Sequence, residues 1–444
     1  VDGEDNVQLK GSSNFKVFVN GKPSTMATNN TKDFLKNMPA SSIKNVEVIT
    51  SPGAKYDAEG VGGIINIVTQ NKTMSGYTCS VNAGTNTLGA VNGGISYSAS
   101  AGKFGVSLSL YNYYQNNPYY NNTTYRIDTS KSSSTWNGKS KYSGTSPWGE
   151  GELSYEIDSL NLINATFSLW YAQNRSLSNS KVSVKDANLI ENQSYSMNTT
   201  NNYTYGEPEG GIDYQHTSRH NKEQIFTLSY KVSYNPTGND GESDINNTLN
   251  YFDSWRKSDN NAYSLEHTFQ TDFVKPIVCN FKLEMGLKYI LRKNISLTDA
   301  LAYDFVNQEF VVDSSQINDF DYTQNIYATY FSINKNLKKF GFKAGVRVED
   351  VITNGTFTSN FFTDFKNTNL EYVPSASISY KINDAKNLRL SYSKRIQRPD
   401  IWYLNPFINN TDPKNISFGN PNLDPERFHN FELNFGSFSK LGNI

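Results

Sequence analysis

The stretch Ser41–Gln70, SSIKNVEVITSPGAKYDAEGVGGIINIVTQ, divides the chain into two textures. Ile43 to Thr50 alternates around Val46 and Val48 and reads as a short strand. Ser51-Pro52-Gly53 breaks it, because proline fixes φ and glycine frees it. A polar turn leads to Gly60-Val61-Gly62-Gly63. The run Ile64-Ile65-Asn66-Ile67-Val68-Thr69 is then a second strand, apolar on nearly every residue, of the kind covered on both faces. A phosphate-binding loop is excluded by order, since such glycines follow a strand and open a helix. Here they open a strand, which fits a tight connection.

Upstream, Phe15 to Val19 reads as a strand followed by an Asn20-Gly21 turn. Thr31 can cap a short helix through Asn37 that buries Phe34, Leu35 and Met38 and ends at Pro39. Residues 1–72 therefore read as a mixed α/β unit. From residue 73 to residue 444 the pattern is strands only. In 281–292, Phe281, Leu283, Met285, Leu287, Tyr289 and Leu291 share one face, and Lys282, Glu284, Gly286, Lys288 and Arg292 the other. In 340–349, Phe340, Phe342, Ala344, Val346 and Val348 oppose Lys343, Arg347 and Glu349. In 387–397, Leu388, Leu390 and Tyr392 oppose Arg389, Ser391, Ser393, Arg395 and Gln397. The stretch 322–334 is apolar on both faces and ambiguous.

A half-exposed sheet in a soluble protein alternates in the same way. The connections separate the two readings. Short turns near 100–103, 158–161, 218–221, 275–280, 335–338 and 383–386 alternate with long segments near 116–147, 175–207, 236–260, 295–320, 354–369 and 398–426. Short turns at one end and long loops at the other are the pattern of a transmembrane antiparallel β-barrel. About fourteen strands are expected by residue 437, where plugged transporters have about 22. The chain is therefore expected to be incomplete at both ends.

Composition agrees. The 444 residues carry a formal net charge of -1, so no basic field points to nucleic acid. No apolar run reaches the length of a transmembrane helix, which leaves a barrel open. Aromatic residues make up 14%, with 29 Tyr and 26 Phe, and tyrosine suits a membrane interface. Cys79 and Cys279 make no disulfide scaffold. His216, His220, His267 and His429 form no metal-ligand spacing, and no nucleophile motif appears, so neither enzyme, metal site nor cofactor is expected.

A second informative stretch is Arg395–Phe428, RIQRPDIWYLNPFINNTDPKNISFGNPNLDPERF, which holds five of the 14 prolines. Pro399, Pro406, Pro413, Pro421 and Pro425 lower the entropy lost on ordering, and Trp402, Tyr403, Phe407 and Phe418 give the loop packing surface. It reads as a structured cap on the wall or as a ligand-facing surface. The long segments, as at 116–125 and 193–205, are rich in Asn, Ser, Thr and Tyr. That suits a glycan, whose hydroxyls such side chains bond, and equally suits solvated loops.

Ile43, Val46-Glu47-Val48, Pro52-Gly53, Tyr56, Gly60, Gly62-Gly63, Ile65-Asn66-Ile67 and Thr69 together resemble the C-terminal half of the plug of TonB-dependent outer-membrane receptors. Phe15 to Pro23 is similar to an earlier plug strand. Gln397-Arg398-Pro399, Leu404-Asn405-Pro406-Phe407 and Gly419 to Glu426, with Asn420 and Pro421, resemble the branch of that family found in Bacteroidetes-type bacteria. The resemblance implies an α/β plug fragment (1–72) inside a barrel (73–444) in the outer membrane of a Gram-negative bacterium. It implies nutrient import of a siderophore, glycan, peptide or similar ligand, driven through the plug by an inner-membrane TonB energy complex. Outer-membrane lipids and a surface-exposed lipoprotein are the further partners it implies. The charges Lys282, Glu284, Lys343, Arg347, Glu349, Arg389 and Arg395 would then face the lumen, where Lys44, Glu47, Asp57 and Glu59 of the plug could pair with them. The alternatives are a non-transporting plugged barrel that scaffolds a surface assembly, and a soluble all-β binding protein.

Overall fold

The computed structural model describes residues 7–9, 15–19, 22–24, 31, 43–49, 52–59, 63–69, 76–129, 131–277, 281–317, 319–357, 364–383, 385–399, 401–404, 418–420, 423–439 and 442–443. It contains two sheets. The smaller has the order β2-β1-β4-β3, from β1 (Lys16–Val19), β2 (Lys22–Ser24), β3 (Ile43–Ile49) and β4 (Ile64–Thr69). The two strands expected from Ser41–Gln70 pair antiparallel as β3 and β4, while β1 runs parallel to β4. Gly63 enters β4 at φ 113°, a conformation that favours glycine, and its carbonyl accepts from Lys16 N at 3.0 Å. β4 is central and its Ile64, Ile65 and Ile67 are buried, as a strand covered on both faces requires. Thr31 is helical and buried. The rest of the expected helix, the Asn20-Gly21 turn, Gly60, Gly62 and Asn405 to Phe407 lie outside the described residues.

The larger sheet is an antiparallel wall, strands β5 to β22, whose order closes into a barrel. β8 (Tyr120–Ile127) extends β7 (Phe104–Asn116) along β9 (Ser133–Asp158). β12 (Glu209–Thr217) extends β11 (Glu191–Gly206) along β13 (Ile225–Leu249). β16 (Glu309–Val312) and β17 (Phe320–Asn336) share one flank of β15 (Phe281–Asp304). The wall thus passes fourteen times between β5 (Gly76–Thr85) and β21 (Glu426–Ser439), as expected. The closure itself runs through β22 (Gly442–Asn443), and β5 beside it is exposed at nine of its ten positions.

Sidedness follows the expected alternation. On β15, Leu287 is 60% exposed, whereas Lys288 and Ile290 are buried. On β18 (Phe340–Phe357), Phe340, Phe342 and Val346 are exposed and Arg347 and Glu349 are buried. The ambiguous stretch is resolved on β17: Tyr322, Ile326, Ala328 and Tyr330 are buried, while Tyr327, Phe331 and Ile333 are exposed. Its inner face is apolar because the lumen there is filled, so the usual contrast between faces disappears.

Outside, aromatic rings mark two levels. Tyr230, Phe269, Tyr289 and Tyr327 form a row across four neighbouring passes, with centroids 4.9, 6.3 and 4.9 Å apart. Nearer the short turns, Phe340 lies 4.8 Å from Tyr380 and Phe104 lies 4.6 Å from Tyr155. Phe281 stands at the same end of β15, eight residues before Tyr289. At about 3.3 Å per residue and a tilt near 40° this gives roughly 20 Å of height, close to the ~25 Å apolar band of a membrane barrel.

The long segments expected as loops are mostly strand, which corrects the reading from sequence. β9 has 26 residues, β10 (Asn161–Lys185) and β13 have 25, and β14 (Ser254–Ile277) and β15 have 24. A membrane needs about 9–11. The excess rises past the Tyr289 row as a crown of paired strands with short tips at 186–190, 250–253 and 305–308. Both faces of the crown meet water, so hydrophobic alternation is absent, but the backbone pairing continues.

Candidate functional site

The small sheet lies in the barrel. Phe15, Val17, Ile65 and Ile67 share one buried cluster with Trp148 of the wall, and Tyr111 and Trp170 pack against it. The chemistry concentrates in the β3–β4 connection, residues 52–59. This segment is held as a tight turn by Tyr56 N donating to Gly53 O at 3.1 Å. Ala58 O accepts from Ile396 N at 3.1 Å, and Glu59 forms a parallel bridge with Ile396, so the segment docks on β20 (Lys386–Gln397) as a strand would. Ala58 packs with Val373 and Ile396. Gly345 of β18 permits this approach, because a Cβ there would stand 3.0 Å from Ala54 Cβ and 2.9 Å from Phe331 O.

Around that segment the wall places a set of cations. Lys288 Nζ donates to both oxygens of Asp57 at 2.9 Å, and Arg347 Nη2 donates to Asp57 Oδ1 at 3.0 Å. Arg395 donates to two backbone carbonyls of the segment, Asp57 O at 2.5 Å and Pro52 O at 2.6 Å. Arg398, one residue past β20, forks between Glu59 Oε1 at 2.6 Å and Glu349 Oε2 at 2.5 Å. Glu349 also accepts from Arg347 Nε at 2.5 Å and from Ala58 N at 3.3 Å. Lys16 completes the set on Glu59 at 3.3 Å. Three carboxylates thus face five cations in a region where Arg347 and Arg395 are 1% and 2% exposed. Each guanidinium bridges two acceptors and each carboxylate takes at least two donors, and such multiple charge-assisted bonding is what makes buried pairs tolerable. Burial pushes the carboxyl of Asp57 upward, but Lys288, Arg347 and Lys16 outweigh it and hold it well below the usual carboxylate range. Glu59 is pushed up by burial in the same way and pulled well below by Lys16 and Arg398.

Of the residues singled out from sequence, Arg347, Glu349, Arg395 and Arg398 meet in this cluster. Tyr56 stands beside it, its ring 5.5 Å from Phe18, edge-on. Glu284 pairs with Lys343 at 3.3 Å, and Lys343 packs on Gly53. Lys282 is half-buried on the same face, and Arg389 shares the face but is exposed. Asn66 donates to Glu47 at 2.9 Å inside the small sheet, so Glu47 serves that sheet rather than the wall. Gln397, Asn420 and Glu426 belong to the outer stretch, where Asn420 N donates to Tyr403 O at 2.6 Å. Pro399 and Pro425 line a small cavity with Leu404, Phe365 and Tyr322, and Leu404 packs with Phe320 and Tyr322. Trp402 lies in the short helix Ile401–Leu404. Pro421 lies outside the described residues. Sequence reasoning passed over Lys288 and Gly345. Lys288 was visible as a charge on a lumen face, whereas nothing local marks Gly345.

Residues 216–444 match the outer membrane protein beta-barrel family, and residues 1–64 match the TonB-dependent receptor plug domain. The chain belongs to the outer membrane protein beta-barrel family. Its small sheet is the plug, and the pair is the architecture of a TonB-dependent receptor of the Gram-negative outer membrane. Similar solved structures include the ferric citrate transporter FecA in the unliganded form, at 13% identity and TM-score 0.55 over 96% of this chain and 59% of that chain. The copper transporter OprC matches at 11% and 0.58 over 97% and 62%. The siderophore receptor PiuA from Acinetobacter baumannii matches at 14% and 0.52 over 96% and 63%. The chain therefore spans about three fifths of the length of these proteins. Among curated proteins, none matches.

Proposed function

We propose that the chain is the plug and wall of an energised outer-membrane importer, in which the crown receives a ligand from outside and the plug is displaced to let it pass. The 52–59 clasp carries this reading. A plug that served only to seal would be held best by continuous apolar packing. Here the segment is held by ion pairs and by guanidinium bonds to its backbone carbonyls, all of which water can replace as the segment withdraws. Pull from an inner-membrane complex of TonB type supplies the work. The steps are binding, displacement and diffusion, with no covalent chemistry.

The test uses Ala54→Cys, a position 2% exposed beneath Gly345, in a background lacking Cys79 and Cys279. A thiol reagent admitted to the periplasm should label it in energised cells, and labelling should fall at least tenfold when the proton-motive force is collapsed. Equal labelling in both conditions would overturn the displacement mechanism.

A further inference from the structure

We infer that the inner face of the crown binds a neutral, hydroxyl-rich oligomer, of the chemical class of a carbohydrate chain; the inference rests on the importer reading above.

The inner face can be followed around the wall by register. On β10 the even-numbered Ala172, Asn174, Val182 and Val184 are buried, while Phe167, Leu169 and Tyr171 are exposed on the outside. Pairing carries this parity to the neighbours. Asn174 is opposite Tyr203, Tyr203 opposite Asn239, Asn239 opposite Asn260 and Asn260 opposite Thr298. Five adjacent strands thus carry one rung of three amides, a phenol and a hydroxyl, in which Asn174 is buried with its amide on Tyr205 Oη and the other four are open to the lumen. At about 4.8 Å per strand the four open members span roughly 14 Å, the reach of several linked sugar rings rather than of one small solute.

Charge is sorted between the two faces. Along 120–127, 134–148, 172–184, 193–205, 235–249, 254–264 and 294–302, the inward parity holds no carboxylate and two charged residues, Arg126 and Arg256, five strands apart. Lys181, Asp240, Glu242, Lys257, Asp259 and Asp299 all fall on the outward parity of the same strands. A merely solvated crown has no reason to keep its charges on one side. An anionic metal chelate would call for inward cations grouped at one place, and a peptide for groups of both signs that pair its charges. A bare metal ion would call for His, Cys or carboxylates, and no group of three such residues that could hold a metal occurs among the described residues.

The inward groups also have capacity to spare. Among the described residues the amide oxygens of Asn235 and Asn239, both covered in this conformation, have no hydrogen-bond partner, although buried polar groups are almost always paired, so each gains a bond when its amide turns toward a ligand in the lumen. Asn260 shows how the row works when partnered, since its amide donates to Thr298 Oγ1 at 2.7 Å and Ser296 Oγ at 3.0 Å, the hydroxyl acceptors a sugar also offers. Tyr203, 36% exposed, offers an open ring face beside these amides, and an aromatic ring covers the apolar face of a sugar while amides bond its rim. Trp170 and Tyr205, with centroids 5.1 Å apart, continue the aromatic surface toward the plug.

The experiment presents the purified protein with one mixture and reads what is retained by native mass spectrometry. The mixture contains neutral oligosaccharides from starch, dextran, xylan and mannan digests, together with ferric citrate, Cu²⁺ and tryptic peptides. Retention of neutral carbohydrate is expected. Its affinity should fall at least tenfold in Asn239→Leu, which keeps side-chain shape, and in Tyr203→Leu, which removes the ring, and should be unchanged in the outward Lys181→Ala. Retention of ferric citrate, Cu²⁺ or peptide in place of carbohydrate overturns the inference, and so does retention of no carbohydrate from the mixture. Heat-modifiable gel mobility establishes that each variant is folded, and should Tyr203→Leu fail there, Tyr203→Trp should bind at least as well as the parent. Carbohydrate that binds but never accumulates in cells would leave the ligand class standing and remove the importer reading instead.

Discussion

Asp57 is where sequence, packing and mechanism meet in one side chain. It follows Tyr56 in a turn that Pro52 and Gly53 force out of β3, and the turn delivers it to Lys288 and Arg347. Its removal leaves buried Lys288 without the carboxylate it donates to and Arg347 with Glu349 alone. Asp57→Asn should therefore loosen the docked segment by about 3–5 kcal/mol, the cost of breaking one side of a buried pair. Amide hydrogen exchange over 52–59 measures this, and exchange unchanged from the parent would refute it. The same pairs set a pH dependence. Asp57 and Glu59 titrate below their usual range when docked, so the docking energy they contribute is fully present above the undocked pKa. It is lost as pH falls toward the docked values. The protection of 52–59, its exchange referred to the intrinsic amide rate at each pH, is expected to be flat from about pH 8 to about pH 5 and to fall only in stronger acid, below the ordinary carboxylate pKa near 4. A loss of protection between pH 8 and pH 6 would show that some other group governs docking.

At the scale of the strand, one element passes through two solvents. β15 is lipid-facing from Phe281 to Tyr289 and then water-facing on both sides to Asp304. Met285→Arg, on the outward parity midway between Phe281 and Tyr289, sets a charge near the midplane of the apolar band and should cost about 2–4 kcal/mol. Leu297→Arg, on the same outward parity but beside Asn261 and above the aromatic row, should stay within about 0.5 kcal/mol, as exposed substitutions do. Folding yield read by heat-modifiable mobility decides, and equal losses would place the band elsewhere. The position of the crown yields a second prediction. Cysteine at Asn188, in the tip 186–190, should label on intact cells with an impermeant reagent, and cysteine at Lys338, in the turn 337–339, should not; the opposite pattern would invert the orientation. This element also shows what a sequence can reveal. Within the membrane, Leu283, Leu287 and Tyr289 against Glu284 and Lys288 write the strand plainly, because its two faces meet different media. In the crown the media are the same, so Asn201, Asn239 and Asn260 read as loop although each is paired in a ladder. On β17 the opposite happens, and Tyr322, Ile326 and Tyr330 hide the lumen face because the plug makes it apolar. The plug turn was legible through Pro52, Gly53 and the glycines after Glu59. Gly345 was not, since its small size answers a contact from nearly 300 positions away in the chain.

At the scale of the molecule, three structures converge on one short segment. β18 gives Arg347 and Glu349, β20 gives Arg395 and Ile396, and Arg398 stands at the root of the outer stretch that carries Leu404. Among the described residues Arg395, Ile396 and Arg398 tie the root of the outer stretch to the plug, so displacement of the plug releases that root from Pro52, Asp57, Ala58 and Glu59 together. If transport requires this displacement, a covalent tie across the same contact must stop transport and spare binding. Ala58 and Ile396 suit the tie, because they pack in one buried cluster and share a backbone hydrogen bond of 3.1 Å. Ala58→Cys with Ile396→Cys, lacking Cys79 and Cys279, should be studied oxidised and reduced in the same cells. Surface retention of labelled neutral oligosaccharide should be the same in both states. Accumulation inside the cell should drop at least tenfold on oxidation and return on reduction, which separates the tie from any damage done by losing Ile396. Accumulation that survives complete oxidation would mean that ligand passes beside a docked 52–59 segment, and the clasp would then be a fixed part of the wall.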